Sequence, residues 1–170
     1  MKSPTILFFL LGIVLGALVV SLFPVFAPVT AAAVFSPGEG ENIIAFIDSA
    51  QETLDIEMYV FTSDEIANAL KRAHDRGVQV QIILEKRVAT DGNPRYYNEL
   101  NDYGIDVRWA SFDYALTHAK FIIVDGEKVL VGSHNFSNAA LERNREASVI
   151  LTGDIVEEFK RIFEEDWNKV

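Results

Sequence analysis

The stretch THAKFIIVDGEKVLVGSHNFSN, residues 117–138, places polar side chains at both ends of two apolar runs. His118 and Lys120 stand at the start of the first run, and Ser133 and Asn135 follow the second. Alternate residues of a strand share one face, so His118 and Lys120 should point the same way. The Asp125-Gly126 pair between the runs is typical of a tight hairpin turn, which would return Ser133 and Asn135 to their side.

These side chains together suit a phosphate group. A lysine ammonium supplies positive charge, and a hydroxyl and an amide supply hydrogen bonds. An imidazole beside them can act as a nucleophile or as a proton carrier. The spacing therefore predicts a phosphate site at one end of a sheet, built from His118, Lys120, Ser133 and Asn135.

The full spacing, H-x-K-x4-D-x6-G-S-x-N, is the signature of the phospholipase D superfamily. The chain resembles the small single-motif endonucleases of that superfamily and is also similar to mitochondrial phospholipase D-like nucleases. The resemblance runs from about Phe35 to the carboxyl end. It includes the segments FSP, DIEMYVFTSDEIANAL and GVQVQIIL, the Asn144-Arg145-Glu146 triplet and the closing Trp167.

The resemblance implies a role for each matching residue. His118 would be the nucleophile that forms a phosphohistidine, which water then hydrolyses. Lys120 and Asn135 would hold the non-bridging phosphate oxygens, with Ser133 assisting. Glu146 would hold the histidine in its orientation, as carboxylates do beside other catalytic imidazoles.

Asp125 belongs to the same motif, and we expect it to contact the site residues rather than the phosphate itself. An equally good explanation is that the hairpin turn itself requires Asp-Gly.

The resemblance also implies a homodimer. A phosphohistidine route needs a second proton donor, and the other two histidines are weak candidates. His74 lies near a helix end and is expected to be structural, because a cation suits that end. His134 is expected to be a loop residue, although a phosphate contact is an open alternative. The family pairs two motifs, so two copies of His118 should face each other across a twofold axis.

No cofactor and no metal are expected, because Lys120 and hydrogen-bond donors can do the work of a cation. The chain has no cysteine, which excludes disulfides and thiolate metal sites. Four cations could follow a nucleic-acid backbone or be ordinary surface charges: Lys86, Arg87, Arg143 and Arg145. The aromatic residues of the last helix, Phe163 and Trp167, are expected in the core.

Strand and helix patterns alternate along the chain, which predicts an α/β layered sandwich with a mixed β-sheet flanked by helices, preceded by an N-terminal apolar helix. The sheet should be mixed because the hairpin is antiparallel. Strands are predicted at 53–61, 78–84, 105–109 and 146–152, besides the two of the hairpin. Helices are predicted within 40–51, from about 64 to Gly77, from Pro94, and from Asp154 to Trp167, with loops at 85–94 and 138–145.

Residues 1–34 are expected to be a transmembrane anchor, or a signal peptide, plus a connector, and residues 35–170 the phospholipase D-like catalytic domain. Residues 6–23 form an almost unbroken apolar run, long for a signal peptide and suited to an anchor. Ala31-Ala32-Ala33, however, is typical of a cleavage site. Lys2 precedes the run, which predicts that the domain is exported, either membrane-anchored outside the cytoplasm or secreted.

The net charge of −10 argues against a protein that coats nucleic acid non-specifically, so any phosphate site must be a local basic pocket. The expected function is a metal-independent phosphodiesterase, most specifically an endonuclease that cleaves DNA or RNA. One alternative is a phospholipase D-type hydrolase of lipid headgroups, because an anchor would hold the site near a bilayer. A second is an inactive phosphate-binding module at the cell surface.

Overall fold

The computed structural model describes residues 28–38, 40–88 and 92–170. Its strands are β1 (Thr30–Phe35), β2 (Thr53–Met58), β3 (Gln79–Leu84), β4 (Asp106–Trp109), β5 (Lys120–Val124), β6 (Lys128–Gly132) and β7 (Ala147–Thr152). Its helices are α1 (Gly40–Asp48), α2 (Asp64–Asp75), α3 (Gly92–Tyr103), α4 (Asn138–Glu142) and α5 (Ile155–Trp167).

The strands form one mixed sheet in the order β1-β7-β6-β5-β2-β3-β4. Strands β2, β3 and β4 are parallel to one another. Every other neighbouring pair is antiparallel, including the β5–β6 hairpin. The predicted α/β class with a mixed sheet is confirmed.

Helices cover both faces of the sheet, because residues along each strand alternate between two cores. Ile122 and Val124 of β5 pack with apolar residues of α1, α2 and α3. Phe121 and Ile123 face the other way and pack with Val156 and Phe163 of α5. The prediction that Phe163 lies in the core is confirmed, since it is 2% exposed. Trp167 is half-buried, with the Arg108 guanidinium 3.8 Å from its ring centroid.

The sheet begins earlier than expected. Residues 30–34, expected to belong to the connector, form β1 together with Phe35 and pair along their whole length with β7. Val34 is the buried residue of this strand. A run of alanines gives little strand signal because alanine is depleted in strands, and pairing with β7 overrides that preference. The boundary expected at residue 35 therefore falls at the end of a strand.

Two smaller differences concern helices. Residues 138–142, expected to be part of a loop, form the short helix α4, which begins where the Ser137 hydroxyl accepts a hydrogen bond from the Ala140 N–H at 3.2 Å. Helix α3 begins at Gly92 rather than at Pro94. The Ser63 hydroxyl caps α2 by accepting from Ile66 N–H.

The apolar run 6–23, with its expected helix, lies outside the described residues. Among the helices that the structure describes, none is both long and apolar enough to cross a membrane.

Candidate active site

The predicted phosphate site lies at one edge of the sheet, where β2, β3 and β6 end and β5 and β7 begin. The hairpin forms as predicted. Asp125 and Gly126, at its turn, have φ values of 53° and 63°, the left-handed region that such a turn requires. The hairpin returns the chain to the edge where β5 started, so Ser133 follows Gly132 back to the His118 side of the sheet.

His118 and Lys120 form the centre of the site. The Lys120 ammonium donates to the His118 carbonyl oxygen at 2.9 Å and lies 3.4 Å from the imidazole nitrogens. Lys120 is 8% exposed, whereas His118 is exposed. Burial lowers the pKa of Lys120, and the negative charge of Glu146 opposes that effect. The structure thus holds a buried cation directly beneath an accessible imidazole.

Tyr59 is a site residue that sequence reasoning missed. It directly follows β2, and its ring centroid lies 4.3 Å from that of His118 and 5.1 Å from the Lys120 ammonium. The available signal was its position, because it is the first residue after the buried run of β2 at the sheet edge that carries the site.

Ser133 and Glu146 are brought together at the start of β7. The Ser133 hydroxyl donates to one carboxylate oxygen of Glu146 and accepts from the Ala147 N–H at 3.0 Å. Asn144 donates to the other carboxylate oxygen at 3.1 Å. The Ser133 hydrogen bond lowers the pKa of Glu146 against the effect of burial, with help from Asn144 and from the charges of His134 and Lys120.

The expected role of Glu146 is not seen within one protomer. Its carboxylate oxygens bond Ser133 and Asn144, and among the described residues no hydrogen bond joins it to His118. Glu146 is nevertheless close enough to Lys120 for each charge to influence the other's pKa.

Asn135 sits in a segment that is fixed by backbone hydrogen bonds. Phe136 N–H donates to the Val60 carbonyl at 3.0 Å, and Thr62 N–H donates to the Phe136 carbonyl at 2.6 Å. The Oδ1 atom of Asn135 is buried and has no hydrogen-bond partner in the described part of the chain. An unpaired buried acceptor at a rigid position is costly, and the part of the same amide that can donate to a phosphate oxygen is its NH2 group.

The glycine of the motif is required by close packing. A Cβ at Gly132 would lie 2.3 Å from the Ser148 hydroxyl and 2.4 Å from the Ala147 carbonyl oxygen. The same Ser148 hydroxyl lies 2.7 Å from Nδ1 of His134. His134 is 3% exposed, and burial lowers its pKa. His134 lies in the loop after β6, as predicted, with its ring packed against Ser148 of β7.

Asp125 does not join the other site residues. It lies at the opposite end of β5 from Lys120, where its carboxylate accepts hydrogen bonds from the backbone N–H groups of Gln51, Glu52 and Thr53. Burial raises the pKa of Asp125, but these backbone donors and the charge of Lys128 outweigh it, so the pKa lies below the usual range. Asp125 therefore shapes the hairpin turn and fixes the start of β2, which favours the explanation that the turn itself requires Asp-Gly.

The four predicted cations differ in what they contact. Arg87 is paired with the buried Glu85, so its charge is already engaged. The Lys86 ammonium lies 5.7 Å from the Trp109 ring centroid. Arg143 and Arg145 are exposed and precede Glu146 in the chain. In the described ranges no group of three or more His, Asp or Glu residues could hold a metal ion.

The geometry agrees with comparisons to known proteins. The family model described as "Cardiolipin synthase, PLD-like domain" matches residues 43–167. The human protein named mitochondrial cardiolipin hydrolase is 32% identical over 123 residues, covering 72% of this chain and 46% of the relative. A phospholipase D of Rickettsia typhi is 35% identical over 122 residues, covering 71% of this chain and 58% of the relative. The chain thus spans about half the length of the curated relatives it matches.

Solved structures show the same fold. Nuc from Salmonella typhimurium, a phospholipase D family member, superposes with a TM-score of 0.77 at 30% identity, covering 84% of this chain and 96% of that one. NucT from Helicobacter pylori superposes with a TM-score of 0.69 at 23% identity and supports the fold alone. From the family match, the fold and the intact motif at one sheet edge, the chain belongs to the phospholipase D superfamily, in its branch with a single H-x-K motif.

Proposed function

We propose that this protein is a metal-independent phosphodiesterase that uses His118 as its nucleophile and is most specifically an endonuclease. The observation that carries the proposal is the pair of an exposed imidazole and a buried ammonium 3.4 Å apart. A phosphate that meets His118 from solvent would also meet the charge of Lys120. Electrostatic stabilisation of this kind is effective because the donors are already fixed before the substrate arrives.

The reaction proceeds in two displacements. A ring nitrogen of His118 attacks phosphorus, the P–N bond forms, and the P–O bond to the leaving alcohol breaks as that oxygen takes a proton. Water then attacks phosphorus and returns a proton to the group that protonated the leaving oxygen. The water oxygen stays on the phosphate, and the P–N bond breaks to free the imidazole. Lys120 and Asn135 hold the non-bridging oxygens, and Ser133 assists by holding the Glu146 carboxylate, to which its hydroxyl donates.

The proton donor for the leaving oxygen comes from a second copy of the chain. His134 is packed against Ser148. His74 lies in the last turn of α2, which starts at the site edge and ends at the opposite edge of the sheet. Neither can reach a phosphate at His118, so a homodimer in which two His118 side chains meet supplies the missing group. In that arrangement Glu146 of one protomer can accept from the imidazole of the other.

The openness of the site favours a polymer substrate. His118 and Ser133 are exposed, and so are Arg143 and Arg145, which come shortly before Glu146 in the chain. A nucleic-acid strand can cross such an edge and be contacted along its backbone.

A lipid substrate is the second candidate, and a specific observation favours it. The curated relatives are named cardiolipin hydrolase and phospholipase D, and three exposed apolar side chains precede His118 in the chain: Phe112, Tyr114 and Leu116. An inactive phosphate-binding module is the remaining alternative.

The test uses the full chain and its His118→Asn variant, with His74→Asn as the matched control because it changes a histidine away from the site. Each protein is incubated in EDTA with plasmid, single-stranded DNA, RNA and phospholipid vesicles. Nucleic-acid cleavage that His118→Asn abolishes and His74→Asn retains is the expected result. Headgroup release instead would establish the lipid hydrolase. Cleavage that needs added magnesium, or that survives His118→Asn, would contradict the mechanism.

The dimer is tested by mixing. Wild-type and His118→Asn chains are exchanged in known ratios, and activity is plotted against the wild-type fraction. A site that needs two His118 side chains predicts activity proportional to the square of that fraction. A linear plot would show that each protomer works alone, as would sedimentation of the active enzyme as a monomer.

We also propose that residues before β1 hold the catalytic domain at a membrane, outside the cytoplasm. The support is the apolar run 6–23 with Lys2 before it. The Ala31–Ala33 stretch that suggested cleavage is part of β1 and pairs with Val149–Leu151 of β7. A cut there would remove most of a paired strand, which favours the anchor over the cleaved signal.

A further inference from the structure

A fully buried carboxylate lies directly behind the segment that leads to His118. Glu85, the first residue after β3, is 0% exposed. Its Oε1 accepts from the Arg87 N–H at 2.7 Å and from Arg87 Nε at 2.6 Å. Its Oε2 accepts from Arg87 at 2.8 Å and from the Thr117 N–H at 2.7 Å. Every one of these four bonds is donated to Glu85, so the carboxylate is satisfied only as an anion. Burial raises the pKa of Glu85, but the Arg87 and Thr117 donors outweigh it and the pKa lies below the usual value.

Thr117 is the residue immediately before His118, so the Glu85–Thr117 bond fixes the backbone at the base of the proposed nucleophile. Arg87 extends the same anchorage. Its guanidinium donates to the Tyr114 carbonyl at 2.7 Å and to the Ser111 carbonyl at 3.2 Å. The Glu85–Arg87 pair therefore holds the connection from β4 to His118, residues 110–117, at three separate points.

This connection has little else to hold it. Its large apolar side chains are in solvent rather than in a core: Phe112 is 71% exposed, Tyr114 43% and Leu116 38%. Outside the Glu85–Arg87 pair, the Tyr114 hydroxyl donates to Asp166 at 2.9 Å and accepts from the Lys169 ammonium at 2.6 Å, and Ala110 N–H donates to the Leu84 carbonyl at 3.0 Å. Ala110 is its one buried apolar residue. A segment with so little buried apolar surface opens readily unless polar anchors fix it. The placement of His118 thus depends on buried hydrogen bonds.

Glu85 is itself set in place by the neighbouring strand end. Asn93, 0% exposed, donates to the Glu85 carbonyl and to the Tyr59 carbonyl, both at 2.7 Å. Tyr59 is the residue whose ring packs on the His118 imidazole. Asn93 therefore holds both residues that flank the imidazole: Tyr59, which packs on it, and Glu85, which fixes Thr117 before it.

We propose that Glu85 is a positioning residue for the reaction, which fixes His118 through the Thr117 N–H and, through Arg87, fixes the rest of residues 110–117. The inference rests on the proposed role of His118 as nucleophile. A displacement of about 1 Å at a reacting group can cost about 100-fold in rate, so loosening this anchor should act on turnover.

Glu85→Gln is the informative change because it keeps the shape and removes half of the acceptors. A glutamine has one acceptor oxygen, and its NH2 group would face either Arg87 or the Thr117 N–H, both of which are donors. Two of the four bonds must be lost: both Arg87 bonds on Oε1, or the Arg87 and Thr117 bonds on Oε2. Arg87→Lys is the second variant. It keeps the charge and the Thr117 bond but loses the forked contacts to Ser111 and Tyr114.

Two controls separate position from stability. Glu99→Gln removes a carboxylate paired with Lys71 at 2.6 Å on α3, away from His118. Leu100→Ala opens the core on α3 and lowers stability without touching residues 110–117. The full chain of each variant is assayed below its unfolding temperature with bis(p-nitrophenyl) phosphate, a chromogenic phosphodiester, and kcat and KM are measured separately. The histidine side-chain NMR signals are recorded in parallel, with His118 assigned from His118→Asn and His74 as internal reference.

We expect Glu85→Gln to lower kcat about 10- to 100-fold with KM within about twofold, and Arg87→Lys to lower kcat less. The His118 signals should move or broaden in both variants while those of His74 stay in place. Both controls should keep the wild-type kcat. Wild-type kcat with unmoved His118 signals in Glu85→Gln would overturn the inference, as would an equal loss of kcat in Leu100→Ala. If His118→Asn itself keeps wild-type turnover, the proposed function fails, and the NMR signals still decide whether Glu85 positions His118.

Discussion

Glu57 is a buried acid whose ionisation opposes folding. It lies in β2 between Ile83 of β3 and Phe121 of β5, and it is 2% exposed. Its Oε1 has no hydrogen-bond partner in the described part of the chain. Burial, followed by the charge and hydrogen bond of Asp166, raises the pKa of Glu57 from 4.5 to about 8, and Lys169 opposes the shift. Glu57 is therefore mostly protonated at neutral pH in the folded protein.

The sign of the pH effect follows from the proton count. Between pH 4.5 and 8 the folded protein keeps a proton on Glu57 that the unfolded chain has released. The free energy of unfolding therefore falls as pH rises through this window, by at most about 1.4 kcal/mol per pH unit. Glu57→Gln cannot ionise, and its amide can still donate to Asp166. Relative to wild type, the variant should gain about 3 kcal/mol of stability between pH 5 and pH 8.

The assay is urea unfolding of wild type and Glu57→Gln at pH 5, 6, 7 and 8, with the difference in unfolding free energy plotted against pH. Asp55→Asn is the matched control on the same strand. Burial, and then the charge of Glu164, raise the pKa of Asp55 from 3.8 to about 6, with Lys160 opposing. The Asp55→Asn difference should therefore flatten above pH 6.5 while the Glu57→Gln difference keeps growing. A Glu57→Gln difference that is constant from pH 5 to pH 8 would refute the reasoning.

Three further predictions concern the frame of the site. Asp125→Ala removes the acceptor of three backbone donors and should lower stability by about 1–3 kcal/mol with kcat unchanged; a large loss of kcat at full stability would place Asp125 in the site. A chain that begins at residue 35 loses β1 and the burial of Val34, and should be at least about 1.5 kcal/mol less stable than one that begins at residue 28; equal urea midpoints would contradict that role of β1. Gly132→Ala should lower the free energy of unfolding by about 1–3 kcal/mol. Adding Ser148→Ala should recover only part of that stability, because the Ala147 carbonyl still lies too close to the new Cβ. Full recovery would show that the carbonyl can move away, which would contradict this account.

The motif and the central strands could be predicted because each carries a strong local signal. The runs around Asp125-Gly126 are apolar and bounded by a turn pair, so the hairpin and the edge that carries His118 follow from spacing alone. The strand β1 could not be predicted, since alanines carry little preference for strands and only β7 makes Thr30–Phe35 one.

Residue roles at the site were harder to predict than its location. Asp125 and His134 lie in the turn and the loop where their spacing predicts them. Their side-chain partners were not predictable: Asp125 accepts from Glu52 N–H before β2, and His134 contacts Ser148. The side-chain contacts of both residues are made with partners distant in sequence, which hydrophobic periodicity does not reveal. The bond from Glu85 to Thr117 is of the same kind, since it joins two loops that only the folded sheet brings together.

The central claim is that a covalent bond forms between phosphorus and His118. The direct measurement is mass spectrometry of peptides from the full chain, quenched in alkaline denaturant during turnover of the substrate that it cleaves. The mechanism predicts a phosphoryl adduct on the peptide that contains His118, and its absence from His118→Asn. An adduct on Ser133 instead, or product oxygen delivered by water with no enzyme adduct at any time, would contradict it.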